Sequence, residues 1–159
     1  MAKKETKTNA MRILERMKIP FTHREYECDE FTDGSDVATK LGLRHEEVFK
    51  TLVTEGNDKQ YYVFVIPVDE ELDMKACARS VGVKSVRMIH MKELFPLTGY
   101  IRGGCTAIGM KKKFETRIDE SARRLEQIYI SGGRLGSQIR LAPDDFCKAA
   151  NAEYATLIQ

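Results

Sequence analysis

The segment VFKTLVTEGNDKQYYVFVIPV, residues 48–68, constrains the fold more than any other stretch of the chain. Two runs rich in Val, Phe, Tyr and Thr flank EGNDK, so the segment reads as two strands joined by a hairpin loop. FTHREYE (21–27) alternates apolar and polar residues as a half-buried strand does, and SVRMI (85–89) is a short strand. QIYIS and SQIRLA, separated by GGRLG, form a second β pair.

Helical spacing appears between these strands. Met11, Ile13, Leu14 and Met17 recur on one face of a helix over Asn9–Lys18, capped by Thr8 or Asn9 and ended by Pro20. DVATKLGL is a short helix capped by Ser35 or Asp36 and closed by Gly42. LDMKACARSVG is another. MKELFPL is a helical turn stopped near Pro96, and RIDESARRL is a second helical turn. Pro143 opens a last amphipathic helix, PDDFCKAAN, whose two acids lie where the helix dipole favours them. Strands outnumber long helices and the order is irregular. The expectation is a mixed α+β (α/β) fold: a strongly curved mixed β-sheet with helices packed around it.

The 159 residues suit one domain, taken as residues 9–159 behind a short basic tail, 1–8. With no apolar run near ~18 residues, nothing in the sequence spans a membrane. The basic N-terminus lacks the apolar core of a signal peptide, so the expected location is cytoplasmic. Cys28, Cys77, Cys105 and Cys147 are far apart and read as reduced thiols. The net charge of +2 hides an asymmetry: residues 98–140 carry 9 basic and 4 acidic side chains. That segment can lean on phosphates, though more weakly than a dedicated nucleic-acid-binding domain.

TGYIRGGCTAIGMKKK, Thr98 to Lys113, is the least ordinary stretch chemically. It lacks the spacing of a P-loop or a dinucleotide fingerprint. His23, His45 and His90 are scattered, and no Cys or His pair has ligand spacing, so no metal is expected. Cys105, close to three lysines, has two readings, an activated nucleophile or a small buried hydrophobe. Gly103 and Gly104 form either a plain turn or a wall where backbone can approach a ligand and present N–H groups to an oxyanion. The same choice holds at Ser131–Gly133. Lys50, on a strand face opposite to Phe49 and Thr51, either protects a sheet edge or projects a cation into a pocket.

VFKTL, VIPVDEELDMK, TGYIRGGCTAIGMKK, the Ile118–Asp119 pair, and IYISGG followed by QIRLAPDDF occur in one order over one domain length. Together they resemble the YbaK/EbsC family of trans-editing Cys-tRNA(Pro) deacylases over roughly Asn9 to Tyr154. The resemblance implies a fold like the editing insertion domain of prolyl-tRNA synthetase, a curved, nearly closed mixed β-sheet surrounded by helices. It implies removal of cysteine from mischarged tRNA(Pro), because a pocket has only ~1–3 kcal/mol with which to separate near-isosteres such as cysteine and proline. In the family's chemistry the substrate thiol attacks its own ester, so neither a protein nucleophile nor a cofactor is called for. The implied partners are the mischarged tRNA and, transiently, prolyl-tRNA synthetase, with no DNA and no membrane.

By position, the resemblance makes Lys50, Gly103 and Ser131 the catalytic set. It makes Tyr26, Phe31, Thr51, Gly104, Gly132 and Gln138 substrate-binding, with Phe31 matching the pocket phenylalanine that precedes the second helix. Gln138 replaces an aspartate frequent in the family, and CTAIG replaces its Ser-Pro form. Arg102, Lys111, Lys112 and Lys113 are the candidate tRNA contacts. The alternatives are a deacylase of Ala- or Ser-tRNA, a non-catalytic aminoacyl-tRNA or synthetase-binding module, and a redox protein built on Cys105.

Overall fold

The hairpin at residues 48–68 forms the spine of the larger of two sheets. The structure, a computed structural model, describes residues 7–28 and 32–159. Its elements are α1 (Asn9–Arg16), β1 (Thr22–Glu25), α2 (Gly34–Leu41), β2 (Phe49–Gly56), β3 (Tyr61–Pro67), α3 (Met74–Val81), β4 (Val86–Met88), α4 (Leu94–Thr98), β5 (Glu115–Asp119), β6 (Ile128–Ser131), β7 (Ser137–Leu141), α5 (Pro143–Ala150) and β8 (Ala152–Ala155). One sheet runs β4-β2-β3-β5-β8 and the other β1-β7-β6. A parallel bridge between Val48 and Tyr129 ties the second to the first. This is a mixed α/β architecture.

β3 is central because its side chains are apolar on both faces. Val63 and Val65 join Phe49, Val53, Ile118, Ile130, Ile139 and Phe146 in the main core, against α1 and α5. Tyr62, Phe64 and Ile66 pack on the opposite face with Cys77 of α3 and Leu157. A strand buried on both faces reads as a continuous apolar run, which is what YYVFVIP is.

Local chemistry sets most boundaries. Thr8 accepts from the Met11 N–H and caps α1, and Gly42 and Gly82 end α2 and α3 in the left-handed region. The cap of α2 is Asp33, not Ser35 or Asp36: its carboxylate accepts from the Ser35 N–H at 2.9 Å. Pro96 does not stop a helix either. It lies in the first turn of α4, where its missing N–H has no intrahelical acceptor to lose, and Gly99 ends the helix. β1 buries none of its four side chains, since it is an edge strand paired only to β7.

Two strands depart from the sequence expectation. Arg117–Asp119, read as part of a helical turn, extend β5, and the 3-10 turn begins only at Glu120. β5 runs parallel to β3 and carries Ile118, which is fully buried. β8 was not anticipated, because AEYA has weak strand propensity. Its parallel pairing with β5 supplies what the local sequence lacks. No described helix is long and apolar enough to cross a membrane.

Candidate functional site

β4 pairs with β2 only at Thr54–Gly56. The edge of β2 at 49–52 therefore has no strand partner on that side, and it forms one wall of a cleft of about 360 Å³. Facing it are the glycine loop after α4, the β6–β7 turn, Tyr26 and Cys28 beyond β1, and the start of α2. The cleft gathers Lys50, Thr51, Tyr26, Arg102, Gly103, Ser131 and Gln138 from five separate parts of the chain.

The glycine loop is held from within. The Lys111 N–H donates to the Thr98 carbonyl at 3.0 Å, closing the loop at its base. Inside it, the Tyr100 hydroxyl donates to the Ile108 carbonyl at 2.6 Å, and the Tyr100 N–H donates to Thr98 Oγ1 at 3.0 Å. Gly103 sits at the exposed tip with φ +86, a conformation that side-chain-bearing residues rarely adopt. Gly104 is buried, away from the cleft wall: a Cβ there would meet the Arg134 Cα at 2.8 Å.

The second glycine turn is equally constrained. The Gly132 N–H donates to the Ser137 carbonyl at 2.8 Å. A Cβ on Gly132 would collide with the Ser137 side chain, so this glycine serves the turn and not the cleft wall. Ser131 Oγ accepts from the Gly133 N–H at 3.1 Å, which leaves the hydroxyl proton to be donated. The Tyr26 N–H donates to the Gly136 carbonyl, and that tie fixes Tyr26 at the cleft.

The electrostatics argue against Cys105 as an activated thiol. Burial pushes the Cys105 thiol up to about 12, against a smaller opposing effect from a hydrogen bond with Thr98. It borders the cleft as a neutral group at physiological pH. Lys50, half-buried on β2, brings a cation to one wall of the cleft, and Arg102 brings another from the glycine loop. The Lys50 charge reaches Asp69, whose carboxyl is held below its ordinary range by hydrogen bonds to Ser35 and His45 and, less strongly, by the His45 and Lys50 charges. Among the described residues no cluster of three His, Cys, Asp or Glu side chains could hold a metal.

Other expected residues lie elsewhere. Lys111, Lys112 and Lys113 are exposed and do not border the cleft, and Lys111 donates to the Pro96 carbonyl at 3.4 Å. Phe31 lies outside the described residues. The sequence reading missed the wall formed by Met88, His90, Met91 and Leu94. Its sequence signal is faint, two methionines near a short strand, which the fold leaves 42% and 54% exposed.

A family model described as an aminoacyl-tRNA editing domain matches residues 30–149. The EbsC protein of Enterococcus faecalis, a candidate Cys-tRNA(Pro)/Cys-tRNA(Cys) deacylase by name, is 45% identical over 99% of this chain and 98% of its own. An uncharacterised Bacillus subtilis protein, YwhH, is 27% identical over 83% of this chain and 87% of its own. Among solved structures, a candidate trans-editing enzyme for prolyl-tRNA synthetase superposes with a TM-score of 0.80 at 22% identity, covering 97% of this chain and 99% of that one. A hypothetical protein does so at 0.83 and 23%, covering 93% and 97%. At those identities the structural likeness concerns the fold.

Proposed function

Because the chain belongs to the aminoacyl-tRNA editing-domain family, we propose that it is a trans-editing deacylase that clears cysteine from mischarged Cys-tRNA(Pro). The 45% identity to EbsC over nearly both full lengths supports that substrate. One observation carries the mechanism: the cleft combines a cation and hydrogen-bond donors with a thiol that burial keeps protonated. Such a site binds and orients an ester, its buried Cys105 is not an activated thiol, and the attacking group in this reading is the substrate's own thiol.

The substrate's thiol sulfur bonds to its own ester carbonyl carbon, and the bond from that carbon to the ribose oxygen breaks. The thiol proton ends on the ribose hydroxyl, releasing intact tRNA and a small thiolactone. The protein's task is to hold sulfur and carbonyl in a near-attack geometry, a source of up to ~7–11 kcal/mol of barrier lowering. Lys50 holds the 3′-terminal phosphate or the ester region. Gly103 and Ser131 frame the carbonyl and the α-amino end, and Tyr26, Thr51 and Gln138 line the chamber. Phe31 is assigned to substrate binding by its sequence position alone. Gly104 and Gly132 act on binding indirectly, by letting the two loops that carry Gly103 and Ser131 pack as closely as they do. Arg102 stands at the rim and Lys111, Lys112 and Lys113 on the tRNA approach. The two sheets act as one curved surface continuous through Val48 and Tyr129, nearly closed around the cleft. The modest basic segment suits weak tRNA affinity, so prolyl-tRNA synthetase supplies the rest in a transient complex.

The test is single-turnover deacylation of Cys-, Ser- and Ala-tRNA(Pro) by wild type and Lys50→Ala. Release of cysteine alone, lost in Lys50→Ala, is expected. Equal release of alanine, which has no nucleophilic side chain, rules out attack by the substrate thiol. Binding of all three without release identifies a non-catalytic module.

A further inference from the structure

Ser131 and Gln138 are direct partners across the antiparallel β6–β7 ladder. Their side chains therefore leave the same face of that sheet, and both border the cleft. Gln138 is only 4% exposed, and among the described residues nothing donates to its Oε1. A buried carboxamide oxygen without a donor opposes folding, and because Gln138 borders the cleft, a donor brought there by a ligand would offset that cost. Its neighbour has the opposite character. Ser131 Oγ accepts from the Gly133 N–H, which leaves its hydroxyl proton available to be donated to a ligand in the cleft. The strand pair thus sets one donor beside one acceptor.

An aminoacyl ester carries the complementary pair on adjoining carbons: a carbonyl oxygen that only accepts, and an α-ammonium that only donates. Its other donors fit less well, since the thiol gives up its proton on reacting and the ribose hydroxyl lies across the ester. Building on the deacylase reading, we infer that Gln138 Oε1 receives the substrate's α-ammonium while the Ser131 hydroxyl faces the carbonyl, so that a free α-amine is required. Aminoacyl-tRNAs blocked at nitrogen, whether acetylated, formylated or extended as peptidyl-tRNA, are then excluded. An N-acyl nitrogen is uncharged, and its acyl group needs room at the buried Gln138 end of the cleft.

N-acetylation is a clean probe, because it leaves the attacking thiol and the ester unchanged. The experiment compares kcat/KM for Cys-tRNA(Pro) and N-acetyl-Cys-tRNA(Pro) in wild type, Gln138→Leu and Gln138→Glu. Wild type should favour the free amine on the order of 10²-fold, the fold-change that corresponds to losing the hydrogen bonding of one buried polar group. Gln138→Leu should bring the ratio to within a few-fold of one while its Tm stays at or above wild type, since the unpartnered oxygen is gone. Gln138→Glu keeps an acceptor and should restore the preference. A lower Tm with an unchanged ratio in Gln138→Leu marks Gln138 as structural and overturns the inference, as does equal turnover of the two substrates by wild type. Calorimetric binding of 3′-cysteinylamino-3′-deoxyadenosine and its N-acetyl form needs no turnover. A free-amine preference there without any deacylation leaves the amine site standing and removes the deacylase reading. Equal binding removes the amine site.

Discussion

Gly104 and Arg134 are backbone against backbone, with the site of a Gly104 Cβ only 2.8 Å from the Arg134 Cα and 3.0 Å from its carbonyl carbon. The contact joins the loop that carries Gly103 to the turn that follows Ser131. Both sides are main chain, so neither can swing aside to admit a methyl group.

Gly104→Ala should therefore push the two loops apart. Overpacking of this kind costs about 1–3 kcal/mol. A displacement near 1 Å at a positioning site lowers turnover by on the order of 10²-fold. Thermal unfolding together with single-turnover deacylation checks both. Gly104→Ala with wild-type turnover would mean that the spacing of the two loops does not set the reacting geometry.

The buried thiols give a stability signature in alkali. Burial pushes both Cys77 and Cys105 up to about 12 in the folded protein, against about 8.5 in an unfolded chain. The folded state then holds the proton more tightly, so this contribution is complete below about pH 8.5 and is lost as pH rises toward 12. Tm should fall through that window, and the fall should be shallower in Cys77→Ala and Cys105→Ala. Cys105→Ala should also retain deacylation within about threefold, the margin expected of a group that packs and does not react.

Tyr100 tests whether the glycine loop must be rigid. Its hydroxyl makes a 2.6 Å bond to the Ile108 carbonyl inside the loop, and burial pushes its ionisation up to about 12. Tyr100→Phe leaves that buried carbonyl without its donor, a cost of about 1–3 kcal/mol. Tm should drop, and kcat should fall by more than KM rises, because Tyr100 does not border the cleft. A pure KM effect would place Tyr100 in contact with substrate.

Segments whose own residues decide their conformation were legible in the sequence. The β2–β3 hairpin is dense in β-branched and aromatic residues, and the Gly42 and Gly82 helix ends need the left-handed region. Arg117–Asp119 and AEYA were not legible, because parallel pairing makes them strands and that pairing is non-local. The site divides the same way. Gly103, Ser131 and Lys50 stand in recognisable motifs, whereas the Met88–Leu94 wall becomes part of the cleft only once β4 has docked on the far end of β2. The orphaned state of Gln138 Oε1 is likewise a property of its surroundings, and no local pattern encodes it.

Lys50 offers a choice between two contacts that salt can separate. It is half-buried in the cleft wall, opposite Ile66 in the β2–β3 ladder. Lys50→Ala should cost on the order of 10²–10³ in kcat, the scale for losing one group that stabilises developing charge, with little change in Tm. If the ammonium instead holds a phosphate of the single-stranded 3′ end, removing it should lower the slope of log K against log salt by about 0.7. Affinity would then converge with wild type as salt rises, and kcat would be nearly preserved. Titrating tRNA binding from low to moderate salt in both proteins, alongside single-turnover rates, therefore assigns the cation. A changed slope puts Lys50 on the backbone of the tRNA. An unchanged slope with a slower chemical step puts it on the ester, and loss of neither leaves it as protection for an unpaired strand edge.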